Sequence, residues 1–371
     1  MWVWKHPNWP NFHFDADLFS TKINSFHRTA ERMFGRVEAL SSVQHTDAMI
    51  DLMVSEAIKT SAIEGEILDR ESVRSSIRAH LGYENKSSQL DARVEGIAAL
   101  MTSVQQHWNR PLTSELLCEW QSSVIVNSPR SNIKHSIRGG SYRTEAVDII
   151  SGPIGREKIH YSTPPADQLS SEMNRFFDWY NSNPPELSGP VKAGIAHAWF
   201  ELIHPFEDGN GRFGRAIADH ALSQGLGFPT LASLASAIEE RRKDYYRELG
   251  ALGRGDLSLN GWLEFFTSIC VEAQEITKQQ LDFVLGKTRF YEAFESILNE
   301  RQKRVVKRIF AEGSKGFKGG ITTKKYSTIA KCPLRTASRD LAALSNQDVV
   351  VKMPEGGRST RYELSIPPPR V

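Results

Sequence analysis

The segment from His204 to Arg215, HPFEDGNGRFGR, carries residue types that suit chemistry on phosphate groups. Gly209-Asn210-Gly211 can point successive backbone N–H groups one way in front of a helix, which makes an anion-binding nest. Arg212 and Arg215 are three residues apart, so both can reach one anion from the same helix face. Asp208 suits a Mg²⁺ ion that bridges phosphates, and His204 suits a general base near neutral pH. Any one of these residues would also fit a helix-capping loop, but the combination predicts a nucleotide phosphoryl-transfer site.

Helices and one β-hairpin must position this segment. Apolar residues recur at three- and four-residue steps from Leu40 to Ile58, which predicts a helix that ends near Gly65. Residues 138–163 contain short strand-like runs around a glycine-containing turn, which predicts a hairpin. The other helices predicted in this part of the chain cover about 71–80, 90–108, 116–126, 166–181, 191–204 and 211–223. The sequence therefore predicts a mainly helical body with one inserted hairpin.

The charge of the chain is divided unevenly. The 371 residues include 46 Lys and Arg against 44 Asp and Glu. Residues 287–371 carry 18 basic and 8 acidic side chains, a net charge of +10, whereas residues 1–286 carry 28 and 36, a net charge of −8. A basic C-terminal part on an acidic body indicates a second role, such as binding an anionic partner.

Several classes of protein are disfavoured. No run of 18 apolar residues occurs, which argues against a membrane-spanning helix. The first nine residues lack the basic segment and apolar stretch of a secretory signal. Cys118, Cys270 and Cys332 are far apart, which argues against a zinc site and a disulfide framework. We therefore expect a cytoplasmic protein.

The twelve residues from His204 resemble the signature H-x-F-x-(D/E)-G-N-G-R-x-x-R of Fic-domain proteins at every fixed position. The resemblance covers roughly residues 115–270. It implies a helical bundle with a β-hairpin flap beside the site, in agreement with the hairpin predicted above. Members of the family typically transfer AMP from Mg-ATP to a Ser, Thr or Tyr hydroxyl of a target protein.

The resemblance also implies roles for single residues. His204 would deprotonate the target hydroxyl, Phe206 would hold the loop from the core, and Asp208 would bind Mg²⁺. The positions implied to bind ATP are Gly209, Asn210, Gly211, Arg212, Gly214, Arg215, Tyr245 and Tyr246. For the tyrosine pair, simple helix packing explains the residues equally well. The flap residues implied to align the target are Ser141, Tyr142, Arg143 and Val147.

The stretch Thr60-Ser-Ala-Ile-Glu64-Gly65 resembles the inhibitory motif (S/T)-x-x-x-E-(G/N) that many Fic proteins carry. If this helix packs beside the site, Glu64 would pair with Arg215 and keep it from the γ-phosphate of ATP. The motif is short, and a plain helix C-cap at Gly65 is the alternative. Its position N-terminal to the Fic core, where one class of the family carries this element, favours the inhibitory interpretation.

The C-terminal part has the pattern of a winged helix-turn-helix. Residues 326–331 and 335–344 predict two helices around a turn at Cys332-Pro333, and residues 349–352 and 359–364 predict two strands. The candidate DNA contacts are Arg335, Thr336, Ser338, Arg339, Arg358 and Arg361. A net charge of +10 favours binding to DNA, although such domains also dock proteins or form dimers.

The sequence thus predicts three domains. Residues 1–110 would form an N-terminal arm and helices that include the inhibitory helix, 111–286 the Fic catalytic core, and 287–371 the winged helix-turn-helix. The N-terminal W-x-W-x-H-P-x-W-P stretch also resembles a small domain of obscure function found ahead of some Fic cores. We expect a self-inhibited protein adenylyltransferase that uses ATP and Mg²⁺, with a homodimer as a common arrangement in the family. The alternatives are a DNA-binding regulator whose Fic core senses or modifies a partner, or a Fic enzyme that removes AMP or transfers phosphate.

Overall fold

A computed structural model describes residues 1–85, 91–125, 139–151, 156, 158–182, 187–313, 317, 319–354 and 360–367. It is mainly helical, as predicted. The helices of the first part of the chain are α1 (Ser20–Glu38), α2 (Ser42–Ile63), α3 (Arg70–His80), α4 (Ala92–Gln106), α5 (Ser114–Ile125), α6 (Leu169–Ser182), α7 (Gly189–Ile203), α8 (Asn210–Leu226), α9 (Leu234–Glu240) and α10 (Arg242–Leu252). They are followed by α11 (Asn260–Phe294), α12 (Glu300–Ala311), α13 (Thr323–Ala330) and α14 (Leu334–Asn346). Within these described ranges, no helix is long and apolar enough to cross a membrane.

The chain divides into two compact units. The first comprises residues 1–40 and 49–277, and the second comprises residues 41–48 and 278–371. Residues on both sides of the boundary predicted at 110/111 belong to the first unit. The division of this unit into an N-terminal domain and a catalytic core stays a prediction.

Helices α7 and α8 form the centre of the first unit. Every residue of α7 is buried, and so are most residues of α8 up to Ser223. Pro190 lies in the first turn of α7, where its missing N–H costs no hydrogen bond. The loop from His204 to Gly209 joins these two buried helices, so the residues with candidate chemistry lie on rigid supports.

The predicted hairpin is present. Strand β1 (Asp148–Ser151) pairs antiparallel with β2 (Lys158–Ser162), and Asp148 lies opposite Ser162. The register shifts between Ile149 and Ile150. Three of the four residues predicted to align a target, Ser141, Tyr142 and Arg143, precede the first strand by several positions.

The aromatic N-terminus packs on the rest of the first unit. Trp9 is buried, and its Nε1 donates to Glu172 Oε2 at 2.9 Å. Trp4 Nε1 donates to the carbonyl oxygen of Ser162 at the end of β2 (2.7 Å). These bonds fix the arm to α6 and to the base of the hairpin.

The second unit has its own apolar core under α12, α13 and α14. Strand β3 (Val350–Lys352) pairs antiparallel with β4 (Tyr362–Leu364). Ala337, Leu341 and Leu344 bury one face of α14, while Asp340 on that face accepts from Tyr326 Oη (3.0 Å) and from Arg301. The predicted turn between α13 and α14 is present, with Lys331 at φ 51° ending α13.

Candidate functional site

His204 lies at the sharp turn where α7 ends. Its backbone is left-handed (φ 52°, ψ 60°), a conformation that non-glycine residues rarely adopt. Asn210 closes the loop, because its amide accepts from Phe206 N (3.0 Å) and donates to Phe206 O (2.8 Å). The Phe206 ring is fully buried against Phe200 and Phe213. Phe206 therefore holds the loop from the core, in the place that the sequence resemblance implied.

Three glycines leave space around the start of α8. Gly209 is left-handed (φ 90°), and a Cβ there would lie 2.5 Å from the Phe213 ring. A Cβ at Gly211 would lie 2.4 Å from Glu64 Oε1, and one at Gly214 would lie 2.8 Å from Glu201 Oε1. A side chain at any of these positions would force its neighbour to move. The first turn of α8 thus admits a carboxylate, or another anion, close to its backbone N–H groups.

Arg215 is 2% exposed and is held by α2. Its Nε donates to Thr60 Oγ1 (2.7 Å), and its Nη2 donates to Thr60 O (3.0 Å) and to Glu64 Oε1 (2.9 Å). Burial lowers the pKa of this guanidinium, but the charge of Glu64 and the hydrogen bond to it raise the pKa above its ordinary value. The charged pair that the sequence predicted is therefore formed in the structure.

A second pair of the same kind was not predicted. Arg212 Nη1 donates to Glu66 Oε2 at 3.1 Å, and the two side chains are 5% and 17% exposed. Arg212 Nη2 also lies 3.8 Å from Asp208 Oδ1. Both arginines of the motif thus face acidic side chains that lie just after the end of α2. The only sequence signal was the acidic residue two positions after Glu64.

Asp208 has a free oxygen suited to a cation. Its Oδ1 accepts from Gly209 N (2.7 Å), whereas its Oδ2 is buried and has no hydrogen-bond partner in the described part of the chain. A hard divalent cation such as Mg²⁺ takes one or two carboxylates and completes its shell with phosphate oxygens and water. The orphaned oxygen of Asp208 fits that donor set.

The imidazole of His204 is neutral at pH 7. Its pKa is lowered to about 4, mainly by burial and also by the positive charge of Arg143, which together outweigh the raising effects of a hydrogen bond to the Glu201 backbone and of the charge of Glu64. Glu201 Oε2 lies 3.7 Å from His204 Nδ1. A neutral imidazole with one nitrogen available is the form in which histidine acts as a base.

A cavity of about 450 Å³ borders several of these groups. His204, Glu64, Gly211 and Arg215 line it, together with an apolar wall that includes residues of β1, β2 and α10. Tyr245 and Tyr246 also border the cavity but differ in environment. Tyr245 is 1% exposed, with its hydroxyl 2.8 Å from His197 Nε2, whereas Tyr246 is 45% exposed. Packing explains Tyr245, and Tyr246 is the freer of the two to contact a ligand.

Three further acidic residues surround Arg215 and were missed in the sequence. Burial raises the pKa of Glu201 to about 8 and that of Glu56 to about 7, and the charge of Arg215 opposes both shifts. The pKa of Asp219 is also raised, by burial and then by the charge of Glu56. Glu56 lies eight residues before Glu64 on α2, and Asp219 lies four after Arg215 on α8, so helical spacing was the available signal. Three buried carboxyl groups thus share one guanidinium with Glu64, and burial favours the protonated form of each of the three.

The residues predicted to align a target are placed differently from one another. Ser141 is exposed and Val147 is partly buried. Tyr142 packs on Phe206, and its hydroxyl lies 2.8 Å from Ser114 Oγ. Arg143 is 3% exposed and bonds backbone carbonyls, so it does not lie on an open strand edge. The role of this segment in aligning a target stays a prediction, since its position beside a glycine-containing turn does not reveal that the Arg143 side chain is buried.

In the second unit, the candidate DNA contacts of α14 lie opposite its buried face. Arg335, Ser338 and Arg339 are exposed, and Thr336 is partly buried. Arg361 is exposed at the start of β4, and Arg358 lies outside the described residues.

Comparisons with known proteins agree with the geometry of the first unit. Residues 111–222 match the sequence model of the Fic/DOC family, and residues 2–83 match that of a domain of unknown function, DUF4172. The chain is 27% identical over 237 residues to the protein adenylyltransferase Fic of Nematostella vectensis, covering 62% of this chain and 48% of the relative. It is 28% identical over 236 residues to the protein of the same name from Aedes aegypti, covering 61% and 43%. The chain thus spans less than half the length of these curated relatives.

Solved structures show the same fold. A Fic family protein from Desulfovibrio desulfuricans superposes with a TM-score of 0.52 at 18% identity, covering 94% of this chain and 97% of that one. A Fic domain containing signaling protein from Bacteroides thetaiotaomicron gives a TM-score of 0.51 at 17% identity, covering 71% and 97%. The predicted signature at 204–215 and the two strands of the hairpin all lie within the residues that the sequence model matches. Residues 111–222 are therefore similar to the Fic/DOC family in sequence, and the fold around them is similar to that of solved Fic proteins.

Proposed function

We propose that the chain is a self-inhibited protein adenylyltransferase. The observation that carries the proposal is a neutral His204, held at a rigid turn, in one cavity with Arg215 and with the open first turn of α8. ATP would place its phosphates at the backbone N–H groups of Gly209, Asn210 and Gly211. Arg212 and Arg215 would bind the β- and γ-phosphates. The names of the curated relatives support this activity.

The reaction would be an in-line displacement. His204 takes the proton of a Ser, Thr or Tyr hydroxyl, whose oxygen attacks the α-phosphorus while the bond to the β-phosphate oxygen breaks. Pyrophosphate leaves, and its growing charge meets Arg212, Arg215 and the nest. Mg²⁺ held by Asp208 would add charge neutralisation at the phosphates.

Self-inhibition follows from the same contacts. Glu64 Oε1 lies where a phosphate would approach both Gly211 and Arg215, since it accepts from Arg215 Nη2 and leaves no room for a Cβ at Gly211. ATP would then bind without its γ-phosphate on Arg215, in an unproductive pose.

The decisive experiment compares α-labelled with γ-labelled ATP in the presence of Mg²⁺. The full chain and its Glu64→Gly variant serve as their own acceptors, and His204→Ala is the negative control. Transfer of the α label alone, lost in His204→Ala, supports adenylyl transfer. Transfer of the γ label alone would instead mean phosphate transfer, and release of AMP from a labelled chain would mean the reverse reaction.

A second function is proposed for the C-terminal unit, namely DNA binding by a winged helix-turn-helix. Three helices followed by a two-stranded hairpin support this architecture, and Arg335, Ser338 and Arg339 share the exposed face of α14. The full chain should shift a random duplex at low salt and release it as salt rises. Arg335→Glu with Arg339→Glu should weaken the shift, whereas the same charge change at the exposed Arg247 of the first unit should not. Absence of any shift at low salt would leave protein docking as the function of this unit.

A further inference from the structure

Arg143 connects the hairpin to the turn that holds His204. Its Nε donates to His204 O at 2.8 Å, and its Nη2 donates to Ile203 O at 3.4 Å. Its backbone N donates to Pro205 O at 2.9 Å. Three consecutive carbonyls at and after the end of α7 are thus satisfied by one residue. Helix ends leave such carbonyls without internal partners, and a cation there is favourable.

The same guanidinium binds both ends of the hairpin. Nη1 donates to Glu145 O (2.6 Å), which lies ahead of β1, and Nη2 donates to Pro164 O (2.6 Å), which lies just after β2. Thr163 Oγ1 donates to Val147 O at 2.8 Å and closes the base of the hairpin beside it. Arg143 therefore joins three backbone segments that are distant in sequence.

The backbone of His204 needs such support. A left-handed backbone is strained for a non-glycine residue and persists only where its surroundings fix it. Arg143 supplies hydrogen bonds on both sides of this residue, to Ile203 O, His204 O and Pro205 O. The Phe206–Asn210 bonds fix the other end of the loop.

We propose that Arg143 is a positioning residue that sets the orientation of His204 relative to the hairpin. The inference rests on the proposed function, in which a target segment lies beside the hairpin and presents its hydroxyl to His204. The distance and angle between the hydroxyl and the imidazole would then depend on the Arg143 guanidinium, because it binds both the hairpin and the turn that holds His204.

A lysine cannot replace this arginine. The guanidinium presents a planar fork of N–H donors, which here donates to four backbone carbonyl oxygens. An ammonium is a compact group with a different geometry. Arg143→Lys keeps the charge and breaks the connection between hairpin and loop, so it separates geometry from electrostatics. Arg143→Met removes both.

Arg254 provides a matched control. It is exposed, and its Nη2 donates to Ile159 O of β2 at 3.0 Å, so it also binds the hairpin. Its guanidinium also lies over the indole ring of Trp2 in the N-terminal arm. If the effect at Arg143 came only from a loosened hairpin, Arg254→Lys and Arg254→Met would reproduce it.

The first test measures self-labelling from α-labelled ATP in the full-length Glu64→Gly background. We expect Arg143→Lys to lower kcat about 10- to 100-fold, the loss typical of a small misplacement of a reacting group, with KM for ATP changed less than about threefold. The Arg254 variants should stay within about threefold of the parent. A folded Arg143→Lys protein with the parent kcat would overturn the inference.

The second test does not depend on activity and keeps the two proposals separable. Hydrogen exchange, followed by mass spectrometry, should be faster in both the 203–209 and 145–164 peptides of Arg143→Lys. In Arg254→Lys it should be faster only in the hairpin peptide. Unchanged exchange at 203–209 in Arg143→Lys overturns the role of Arg143. If the parent transfers no label but Arg143→Lys shows the expected faster exchange, the proposed function is refuted and the role of Arg143 stands.

Discussion

The Oε1 atom of Glu64 lies 2.9 Å from Nη2 of Arg215, and it would lie 2.4 Å from a Cβ at Gly211. A carboxylate oxygen thus occupies a position next to both a motif arginine and the first turn of α8. The Arg215 guanidinium is also bound by Thr60 of α2 through two hydrogen bonds. Because α2 and a bound nucleotide would compete for the same donors, the strength of the α2 contacts should set how much ATP binds productively.

Glu64→Gly should raise the rate of self-labelling from α-labelled ATP at least about tenfold. Removing one partner of a buried ion pair shifts free energy by several kcal/mol, and here the freed Arg215 becomes available to the nucleotide. The rate is measured with the full chain, and Glu71→Gly, an exposed position in the first turn of α3, is the control for adding a glycine. An unchanged rate in Glu64→Gly would remove the basis for self-inhibition.

Glu66→Gln should lower KM for ATP by a few-fold, since Arg212 would be released for phosphate. The effect should be smaller than that of Glu64→Gly because the neighbouring Asp208 remains near Arg212 at 3.8 Å. Both ion pairs lie at the end of α2, so their effects should not add, and a double-mutant cycle with Glu64→Gly measures the coupling. A KM that rises in Glu66→Gln would show that Glu66 assists nucleotide binding instead.

The residues that could be predicted from the sequence are those that lie close together along it. His204, Asp208, Arg212 and Arg215 fall within one loop and one helical turn, so spacing alone brings them together. Glu64 is distant, and only the inhibitory motif pointed to it. Glu201 could not be recognised, because its raised pKa results from burial beside His204, which a helix pattern of apolar and polar residues does not specify.

Arg143 is a second residue whose burial could not be predicted from the sequence. The sequence predicted a hairpin over residues 138–163, which include Arg143, but not which side chains face inward. A basic residue next to a glycine-containing turn is usually exposed, and here the packing of hairpin, α7 and loop creates a set of unpaired carbonyls that favours a buried guanidinium. That set exists only once the three segments have come together.

Glu201→Gln should make the protein relatively more stable as pH rises. The folded-state pKa of Glu201 is about 8 because of burial, above an ordinary value of 4.5. Between these two values the folded state holds a proton that the unfolded state releases, so wild-type stability falls as pH rises from about 4.5 to 8. Glutamine has no proton to lose. The difference in Tm between variant and wild type should therefore grow by several degrees across this window, with the exposed Glu240→Gln or Glu275→Gln as candidates for the control. A constant difference would mean that Glu201 is ionised in the folded protein.

The pH dependence of label transfer should show an acidic limb well below that of an ordinary histidine. Burial lowers the pKa of His204 to about 4, whereas an unperturbed histidine would be about three-quarters protonated at pH 6. The charged groups that act on it are Arg143 and Glu64, and the protonated Glu201 lies nearby. Removing Glu64 withdraws a negative charge that raises the pKa of His204. Since kcat/KM for ATP reports the free enzyme, this parameter should stay on its plateau from pH 8 down to pH 6 in Glu64→Gly.

Circular dichroism at each pH checks that the protein remains folded, because the buried His197 and His220 also have pKa values lowered to about 4 by burial and resist protonation. A limb with its midpoint at pH 6.5 or above would show that His204 is solvated when it acts, and that the turn fixed by Arg143 opens before the chemical step.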